Sequence, residues 1–221
     1  MSKPLSKLSK TLLAAAITAV SASAFALTPG GGGSTTKMII GDSIFALSGE
    51  IHEFLEADLN ENIDTYAQSG CQVNGTSLIC GERGRIPNQY ARANTSGIKT
   101  VIMNGGGNDF LLGDGGNCRN EACVQEVLFA IEETLAGLYS EIKSDGINEI
   151  VFLGYYYTTD RDNNAINDAS MDYKASAYPA MGVKFVDMRG RYNTSWIKVD
   201  QIHPTRQGSR VLAQAIEEVL D

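Results

Sequence analysis

The sequence predicts an α/β domain in which helices cover both faces of a five-stranded parallel sheet. Short apolar runs alternate with segments of helical periodicity along the chain, which is typical of parallel sheets. Several runs lack polar alternation, as expected for strands that are buried on both faces. The runs that we interpret as strands are residues 38–40, 63–66, 100–103, 150–153 and 183–186.

Two segments carry the clearest helical pattern, residues 120–143 and 204–220. In each, apolar residues recur every three or four positions and form one stripe that a sheet can bury. Pro204 suits the first position of the second helix, because proline lacks the N–H that would be unpaired there. In open sheets of this class, ligands bind at the carboxyl ends of the strands.

The N-terminus has the features of a secretory signal peptide. Three lysines precede an apolar run at residues 11–27, in which Ala24-Phe25-Ala26 forms a cleavage site. The run is shorter than the roughly 20 apolar residues of a spanning helix, and two serines interrupt it. We therefore predict a signal peptide over residues 1–26 and an exported protein, periplasmic or secreted, without a stable membrane span. A retained N-terminal anchor is the alternative.

A Gly-rich segment at residues 27–36 follows, and we expect it to be a flexible linker to a single domain at residues 37–221. Cleavage after Ala26 would remove three lysines and lower the net charge from -8 to about -11. This negative charge disfavours nucleic acid as a partner, because it repels phosphate.

All four cysteines lie in the part of the chain that we expect to be exported, where disulfides form. Three pairings are possible, and Cys71 with Cys80 and Cys118 with Cys123 are the local ones. A zinc site is disfavoured because no Cys-x-x-Cys spacing is present and the chain has only two histidines. We therefore expect two short loops, each closed by a disulfide, and no metal site.

Three segments carry groups with catalytic potential. Gly41-Asp42-Ser43 directly follows the first strand, where a turn into a helix would expose the serine hydroxyl. The same tripeptide is also typical of a simple helix cap. Asp200 and His203 are spaced so that the carboxylate can orient the imidazole, although a capping aspartate beside a surface histidine would look the same. The other histidine, His52, lies in an amphipathic stretch and is expected to be solvated.

The third segment is Asn104-Gly105-Gly106-Gly107-Asn108-Asp109, which follows the third strand. Glycines allow a ligand to approach the backbone, and a neighbouring amide can stabilise an oxyanion. A tight turn or a phosphate-binding loop is the alternative. The segment lacks the lysine of a P-loop and the spacing of a dinucleotide fingerprint.

Together these segments resemble the SGNH hydrolases, also called GDSL esterases and lipases, over essentially the whole chain that follows the signal peptide. The matching blocks, in chain order, are Ile40-Gly41-Asp42-Ser43, Ser69-Gly70, Gly106-Gly107-Asn108-Asp109 and Asp200-Gln201-Ile202-His203-Pro204. The resemblance implies a three-layer α/β/α sandwich with a flavodoxin-like strand order. No Gly-x-Ser-x-Gly is present, which argues against the α/β-hydrolase fold.

The resemblance also implies roles for individual residues. Ser43 would be the nucleophile, His203 the general base and acid, and Asp200 the orienting carboxylate. The oxyanion hole would comprise the N–H groups of Ser43 and Gly70 and the side-chain amide of Asn108. No cofactor is implied, and the substrate would be a small-molecule, lipid or glycan ester.

Two departures from the family pattern affect the expected entrance to the site. Phe45 stands shortly after the serine and is expected to narrow the entrance. A long loop at residues 111–123 could act as a lid, or it could be a plain excursion held by a disulfide.

The natural ester is not determined by these patterns. Tyr155, Tyr156, Tyr157 and Trp196 could surround the site, stacking on a sugar or lining an acyl slot. Small-acyl esterase, lysophospholipase or thioesterase, and polysaccharide O-acetyl esterase all stay open. So do acyl transfer by the same triad and a non-catalytic secreted binding protein on a hydrolase scaffold.

Overall fold

The computed structural model describes residues 35–221. The signal peptide expected at residues 1–26, and all of the linker before Thr35, lie outside this range. Within it, five strands alternate with helices: β1 Lys37–Ile40, β2 Ile63–Thr65, β3 Thr100–Met103, β4 Glu149–Leu153 and β5 Lys184–Val186. The helices are α1 Ser43–Ala46, α2 Glu50–Leu59, α3 Ile86–Ala91, α4 Gly107–Leu111, α5 Glu121–Ser144, α6 Arg161–Ala177 and α7 Arg206–Glu217.

All neighbouring strands pair in parallel, in the order β2-β1-β3-β4-β5. The predicted α/β class, the five strands and the flavodoxin-like order are therefore confirmed. This order places the C-terminal ends of β1 and β3 next to each other near the centre of the sheet. Ser43 begins α1, which follows β1, and Asn108 lies in α4, which follows β3.

The sheet is buried on both faces, which explains its continuous apolar strands. In β1, Met38 and Ile40 pack into a core shared with α5, whereas Ile39 packs on the other face with residues of α2 and α7. All three side chains are fully buried. The result is a three-layer α/β/α sandwich.

The structured domain begins slightly before the predicted start at Lys37. The N–H of Thr36 donates to Glu61 Oε1 at 2.6 Å, and its carbonyl accepts from Lys99 N at 2.7 Å. Thr36, which composition assigns to the linker, is thus held by side-chain and backbone bonds.

The last helix begins later than its pattern predicts. Pro204 is not its first residue but forms an isolated antiparallel bridge with Ile197, and Thr205 caps the helix by accepting from Gly208 N at 3.3 Å. The prediction for Pro204 was wrong because a hydroxyl cap directly after it starts the helix.

Both local disulfides are formed, Cys71 to Cys80 and Cys118 to Cys123. The first closes the loop after β2, and the second ties the loop after α4 to the first turn of α5. In residues 35–221 no helix is long and apolar enough to cross a membrane.

Candidate active site

Ser43 is the first residue of α1, directly beyond the turn that follows β1. Asp42 caps this helix, because its Oδ1 accepts a hydrogen bond from Ile44 N at 2.9 Å. Gly41 has φ +146°, and a Cβ there would lie 2.1 Å from Asn104 Oδ1. The Gly-Asp-Ser turn is therefore a helix cap as well, with Asp42 as the capping residue. Ser43 itself lines a cavity and is only 9% exposed.

Asp42 also joins the ends of three strands. It accepts from Asn104 Nδ2 at 2.8 Å, and its own N–H donates to Asn104 Oδ1 at 3.0 Å. Tyr155 follows β4. Its hydroxyl donates to Asp42 Oδ2 at 2.6 Å and accepts from Gly107 N at 3.1 Å. Burial, together with the charge of Asp42, raises the pKa of Tyr155 well above its usual value, so this hydroxyl keeps its proton.

The sequence did not predict that Tyr155 would take this position. Its place directly after a predicted strand end is the only signal that could have found it, because polar groups there face the same edge of the sheet as Ser43.

Gln89 is a second positioning residue that sequence reasoning missed. Its side chain is fully buried, accepts from Gly41 N at 2.7 Å and donates to the carbonyl oxygens of Gly41 at 2.9 Å and Gly84 at 2.8 Å. It therefore fixes the backbone just before Ser43. Nothing in the sequence around Gln89 distinguishes it from an ordinary helical glutamine.

Asp200 and His203 lie on a hairpin just before α7. Asp200 Oδ2 lies 2.9 Å from His203 Nδ1, and Oδ1 accepts from His203 N at 2.9 Å and from Ile202 N at 3.0 Å. The turn requires a left-handed residue, and Gln201 has φ +62°. The carboxylate thus holds both the ring and the backbone of the histidine.

The other nitrogen of this imidazole makes no hydrogen bond in the described residues. His203 Nε2 is buried and has no hydrogen-bond partner within residues 35–221, so the structure does not join it to Ser43 by a hydrogen bond. With Nδ1 bound to a carboxylate, Nε2 of a neutral ring is an acceptor and can take a proton. Catalytic hydrogen bonds are often long before substrate binds.

Asp200 stays ionised at neutral pH. Partial burial would raise its pKa, but the N–H groups of His203 and Ile202 and the imidazole outweigh burial and lower the pKa below its usual value. The carboxylate is therefore available to orient the ring and to stabilise an imidazolium.

The two further candidate oxyanion donors lie in neighbouring segments, Asn108 near the start of α4 and Gly70 in the loop after β2. Asn108 Nδ2 donates one hydrogen to the Cys71 carbonyl at 3.0 Å, which fixes the amide and leaves its second hydrogen available. Gly70 precedes Cys71 and has φ +72°, and a Cβ there would lie 2.9 Å from Ile79 Cβ. In the described part of the chain, the N–H groups of Ser43 and Gly70 donate to no other protein atom.

Asp109 holds these two segments together. Its carboxylate accepts from Val73 N at 2.9 Å and from Asn74 N at 2.8 Å. Burial raises the pKa of Asp109 above its usual value, and these backbone bonds oppose that rise. The carboxylate ties the start of α4, which carries Asn108, to the loop that carries Gly70.

A cavity of about 120 Å³, partly open to solvent, adjoins these groups. Ser43 and Asn108 both line it, as does Ile202, the residue before His203. The structure thus brings Ser43 and Asn108 to one cavity and Asp200 to His203 beside it. Gly70 lies outside the residues that line this cavity.

The four aromatic residues expected around the site divide into two pairs. Tyr155 and Tyr156 line the cavity. Tyr157 instead donates to Asp168 Oδ1 at 2.6 Å, and Trp196 packs edge-to-face on Tyr192 with ring centroids 5.5 Å apart. The second pair is therefore structural.

Two further expectations need correction. Phe45 does not narrow an entrance, because its side chain is only 3% exposed and packs in the apolar core shared with α2 and α7. His52 is not freely solvated, since its Nε2 lies 2.7 Å from the Ile63 carbonyl and the side chain is 21% exposed. It therefore ties α2 to the start of β2.

Among residues 35–221, no group of three or more His, Cys, Asp or Glu side chains is arranged to hold a metal ion. The loop at residues 111–123 borders the cavity through Leu111, which is 36% exposed. Whether this loop acts as a lid stays a prediction.

Neither a protein-family model nor a curated protein matches the chain. Solved structures do match. A protein from Slackia heliotrinireducens, provisionally described as an SGNH hydrolase, superposes with a TM-score of 0.63 at 16% identity, covering 85% of this chain and 100% of that one. A catalytic mutant of an acetylxylan esterase from Geobacillus stearothermophilus gives 0.60 at 18% identity, covering 85% and 94%.

A family two carbohydrate esterase from Clostridium thermocellum, solved with cellohexaose, gives a TM-score of 0.61 at 15% identity. The match covers 87% of this chain and 65% of that protein. At these identities the similarity concerns the fold. The chain therefore has the fold of these hydrolases and esterases.

Proposed function

We propose that this protein is an exported serine esterase that hydrolyses carboxylic esters through an acyl-enzyme on Ser43. The observation that carries the proposal is the hydrogen bond between Asp200 Oδ2 and His203 Nδ1, at 2.9 Å. The other ring nitrogen, Nε2, has no hydrogen-bond partner within residues 35–221. An orienting carboxylate, a histidine and a serine at a cavity form the constellation that acyl transfer needs.

In the proposed mechanism, Ser43 Oγ attacks the ester carbonyl while His203 Nε2 takes the hydroxyl proton. The negative charge that develops on the carbonyl oxygen is stabilised by the N–H groups of Ser43 and Gly70 and by Asn108 Nδ2. The imidazolium then protonates the leaving alcohol. Water, deprotonated by the same imidazole, attacks the acyl-enzyme and releases the acid and free Ser43.

The helix that begins at Ser43 is too short to contribute much by its dipole. The support for the oxyanion assignment is instead that the candidate donors are free and fixed: Gly70 by its left-handed turn, and Asn108 by its bond to Cys71. Preorganised donors of this kind stabilise developing charge without reorganisation.

Export is part of the proposal. The N-terminal segment has the composition of a signal peptide, and two disulfides close loops in the domain. Disulfides persist in oxidising compartments such as the periplasm and the extracellular space.

The deciding experiment is hydrolysis of p-nitrophenyl esters by the purified protein and by Ser43→Ala. We expect activity in the protein, none above background in the variant, and labelling of Ser43 by a fluorophosphonate. Ser48→Ala is the matched control, because the Ser48 hydroxyl only donates to the Ile44 carbonyl at 2.9 Å. No hydrolysis of any ester, with Ser43 inert to the probe, would instead indicate a binding protein on a hydrolase scaffold.

The alternative of a polysaccharide O-acetyl esterase rests only on the similarity in fold to an acetylxylan esterase and to a carbohydrate esterase solved with cellohexaose, and the size of the cavity beside Ser43 argues against it. Release of acetate from acetylated xylan tests it directly. Lysophospholipase or thioesterase activity would appear as hydrolysis of long-chain substrates in the same assays.

A further inference from the structure

The cavity beside Ser43 runs between α4 and α6. From α4 it is bounded by Phe110 and Leu111, and from α6 by Ile166 and the residues one turn to either side. Phe110 and Ile166 are 6% and 9% exposed, so these apolar walls belong to the core rather than to the surface. Tyr155 and Ile202 complete the side next to Ser43.

The polar groups in this wall are largely bound to the protein itself. Asn164 accepts from Thr158 N and donates to the Thr158 carbonyl, both at 2.8 Å. Asn167 Nδ2 lies 3.3 Å and 3.4 Å from the carbonyl oxygens of Tyr155 and Tyr156. Groups paired in this way offer a ligand mainly their carbon atoms.

Ser170 and Asn167 also contribute polar atoms to the cavity wall. The Ser170 hydroxyl accepts from the buried Lys174 ammonium at 2.7 Å, and its hydrogen is free to point elsewhere. Asn167 Oδ1 is buried without a partner within residues 35–221. Both residues lie on α6, whereas Phe110 and Leu111 on α4 are apolar.

The geometry decides which half of an ester this cavity can take. The leaving oxygen must lie beside His203 Nε2, because that nitrogen protonates it. His203 does not line the cavity, whereas Ser43 and Asn108 do. A carbonyl carbon bound to Ser43, with its oxygen near Asn108, would therefore project its acyl substituent into the cavity and its alcohol away from it.

The volume decides what size of acyl group fits. About 10–15 Å³ of space open to the centre of a water molecule is enough to hold one water. About 120 Å³ of such space is available here, so the methyl group of an acetyl ester, which is about as large as a water molecule, would leave most of it unfilled. Each further buried methylene group gains apolar contact and loses contact with water.

We infer that the cavity between α4 and α6 is an acyl subsite, and that the preferred substrates are esters with a bulky, largely apolar acyl group rather than acetyl esters. This inference rests on the proposed function, because it assigns the acyl half of the same reaction. Phe110, Leu111 and Ile166 are the residues that set the acyl size. The alcohol half is left to the open side of the site.

The test is kcat/KM for p-nitrophenyl acetate, butyrate, hexanoate and octanoate. At about 0.8 kcal/mol, or roughly fourfold, per buried methylene, hexanoate should exceed acetate on the order of 100-fold. Ile166→Phe makes the cavity smaller and should lower the hexanoate-to-acetate ratio at least about tenfold. Leu111→Trp adds bulk at the half-exposed rim and should act in the same direction if the buried variant folds poorly.

Phe129→Trp is the matched control, because Phe129 is 71% exposed on α5 and does not line the cavity. It should leave the acyl profile unchanged. If kcat/KM does not rise with acyl length, and the activity is lost in Ser43→Ala, the acyl subsite is wrong but the proposed esterase activity is supported. Absence of all hydrolysis, with Ser43 unreactive towards a fluorophosphonate, would overturn both.

Discussion

The Tyr155 hydroxyl lies 2.6 Å from Asp42 Oδ2 and links the residue before Ser43 to the end of β4. It also accepts from Gly107 N at 3.1 Å, at the start of the helix that carries Asn108. One phenol therefore sets the distance between two halves of the candidate site. Positions held in this way are sensitive, because a misplacement of 1 Å can cost about 100-fold in rate.

Tyr155→Phe should lower kcat by roughly 10-fold to 100-fold and the free energy of unfolding by about 1–3 kcal/mol. The reason is that the variant leaves a carboxylate oxygen and a backbone N–H without their shared partner. Ester kinetics and urea unfolding measure both effects. Tyr157→Phe, which loses only a bond to the half-exposed Asp168, is the control and should change kcat little. Equal kinetics in the two variants would contradict the bridging role.

Asp200→Asn should lower kcat by up to about 10⁴-fold, because the amide no longer fixes the required tautomer of His203. Asp172→Asn, which alters an exposed ion pair with Arg189, is the matched control. Since hydrogen bonds lower the pKa of Asp200 below its usual 3.8, ionised Asp200 stabilises the fold above that pH, and the contribution is lost as pH falls through the lowered pKa. An Asp200→Asn variant with near-normal kcat would remove Asp200 from the mechanism.

Asn108→Ala should reduce kcat by about 100-fold to 1,000-fold with a small change in KM, as expected for a donor that acts on the transition state. Asn88→Ala removes an amide that donates only to Glu82 on the surface, and it should behave like the unaltered protein. Full activity in Asn108→Ala would show that another group stabilises the oxyanion.

Removing the Cys71 to Cys80 disulfide should harm activity more than removing the other disulfide. Both loops are short, so each double alanine variant should lose about 2–3 kcal/mol of stability. Only Cys71, however, follows Gly70 and supplies the carbonyl that orients Asn108. We expect kcat of the Cys71→Ala/Cys80→Ala variant to fall at least about tenfold below that of Cys118→Ala/Cys123→Ala. Equal kcat values at temperatures where both variants are folded would show that the Cys71 to Cys80 disulfide does not position the oxyanion donors.

The sequence predicts the parts of this molecule that depend on burial and local spacing. The strands can be predicted because they are apolar on both faces. The disulfides can be predicted because each pair of cysteines is close along the chain. Ser43, Asp200 and His203 stand out because their order and spacing match a known constellation.

Long-range polar contacts are not predictable in this way. Tyr155 and Asp42 are 113 residues apart, and Gln89 and Gly41 are 48 apart, so no local pattern reports their bonds. The prediction that Pro204 begins the last helix was wrong for a related reason. Its bridge to Ile197 competes with a helical start, and this bridge forms only in the folded hairpin.

A pH-dependent contribution to stability is located between α2 and α7. Burial, with Asp58 nearby, raises the pKa of Glu217 from 4.5 to about 7, and Glu217 Oε1 is buried without a partner in the described residues. The unfolded chain ionises near 4.5 and the folded one only near 7, so stability is fully present below 4.5 and is lost as pH rises through about 7.

Glu217→Gln should therefore raise the melting temperature at pH 8 but not at pH 4. Because the side chain is partly exposed, solvent screening reduces the gain to about 1 kcal/mol, or roughly 2–4 °C. Differential scanning calorimetry at the two pH values measures it. Glu218→Gln is the matched control, since Glu218 forms an exposed ion pair with Arg191, and it should give no gain at pH 8. A gain that is equal at both pH values would mean that the amide improves packing rather than removing a disfavoured charge.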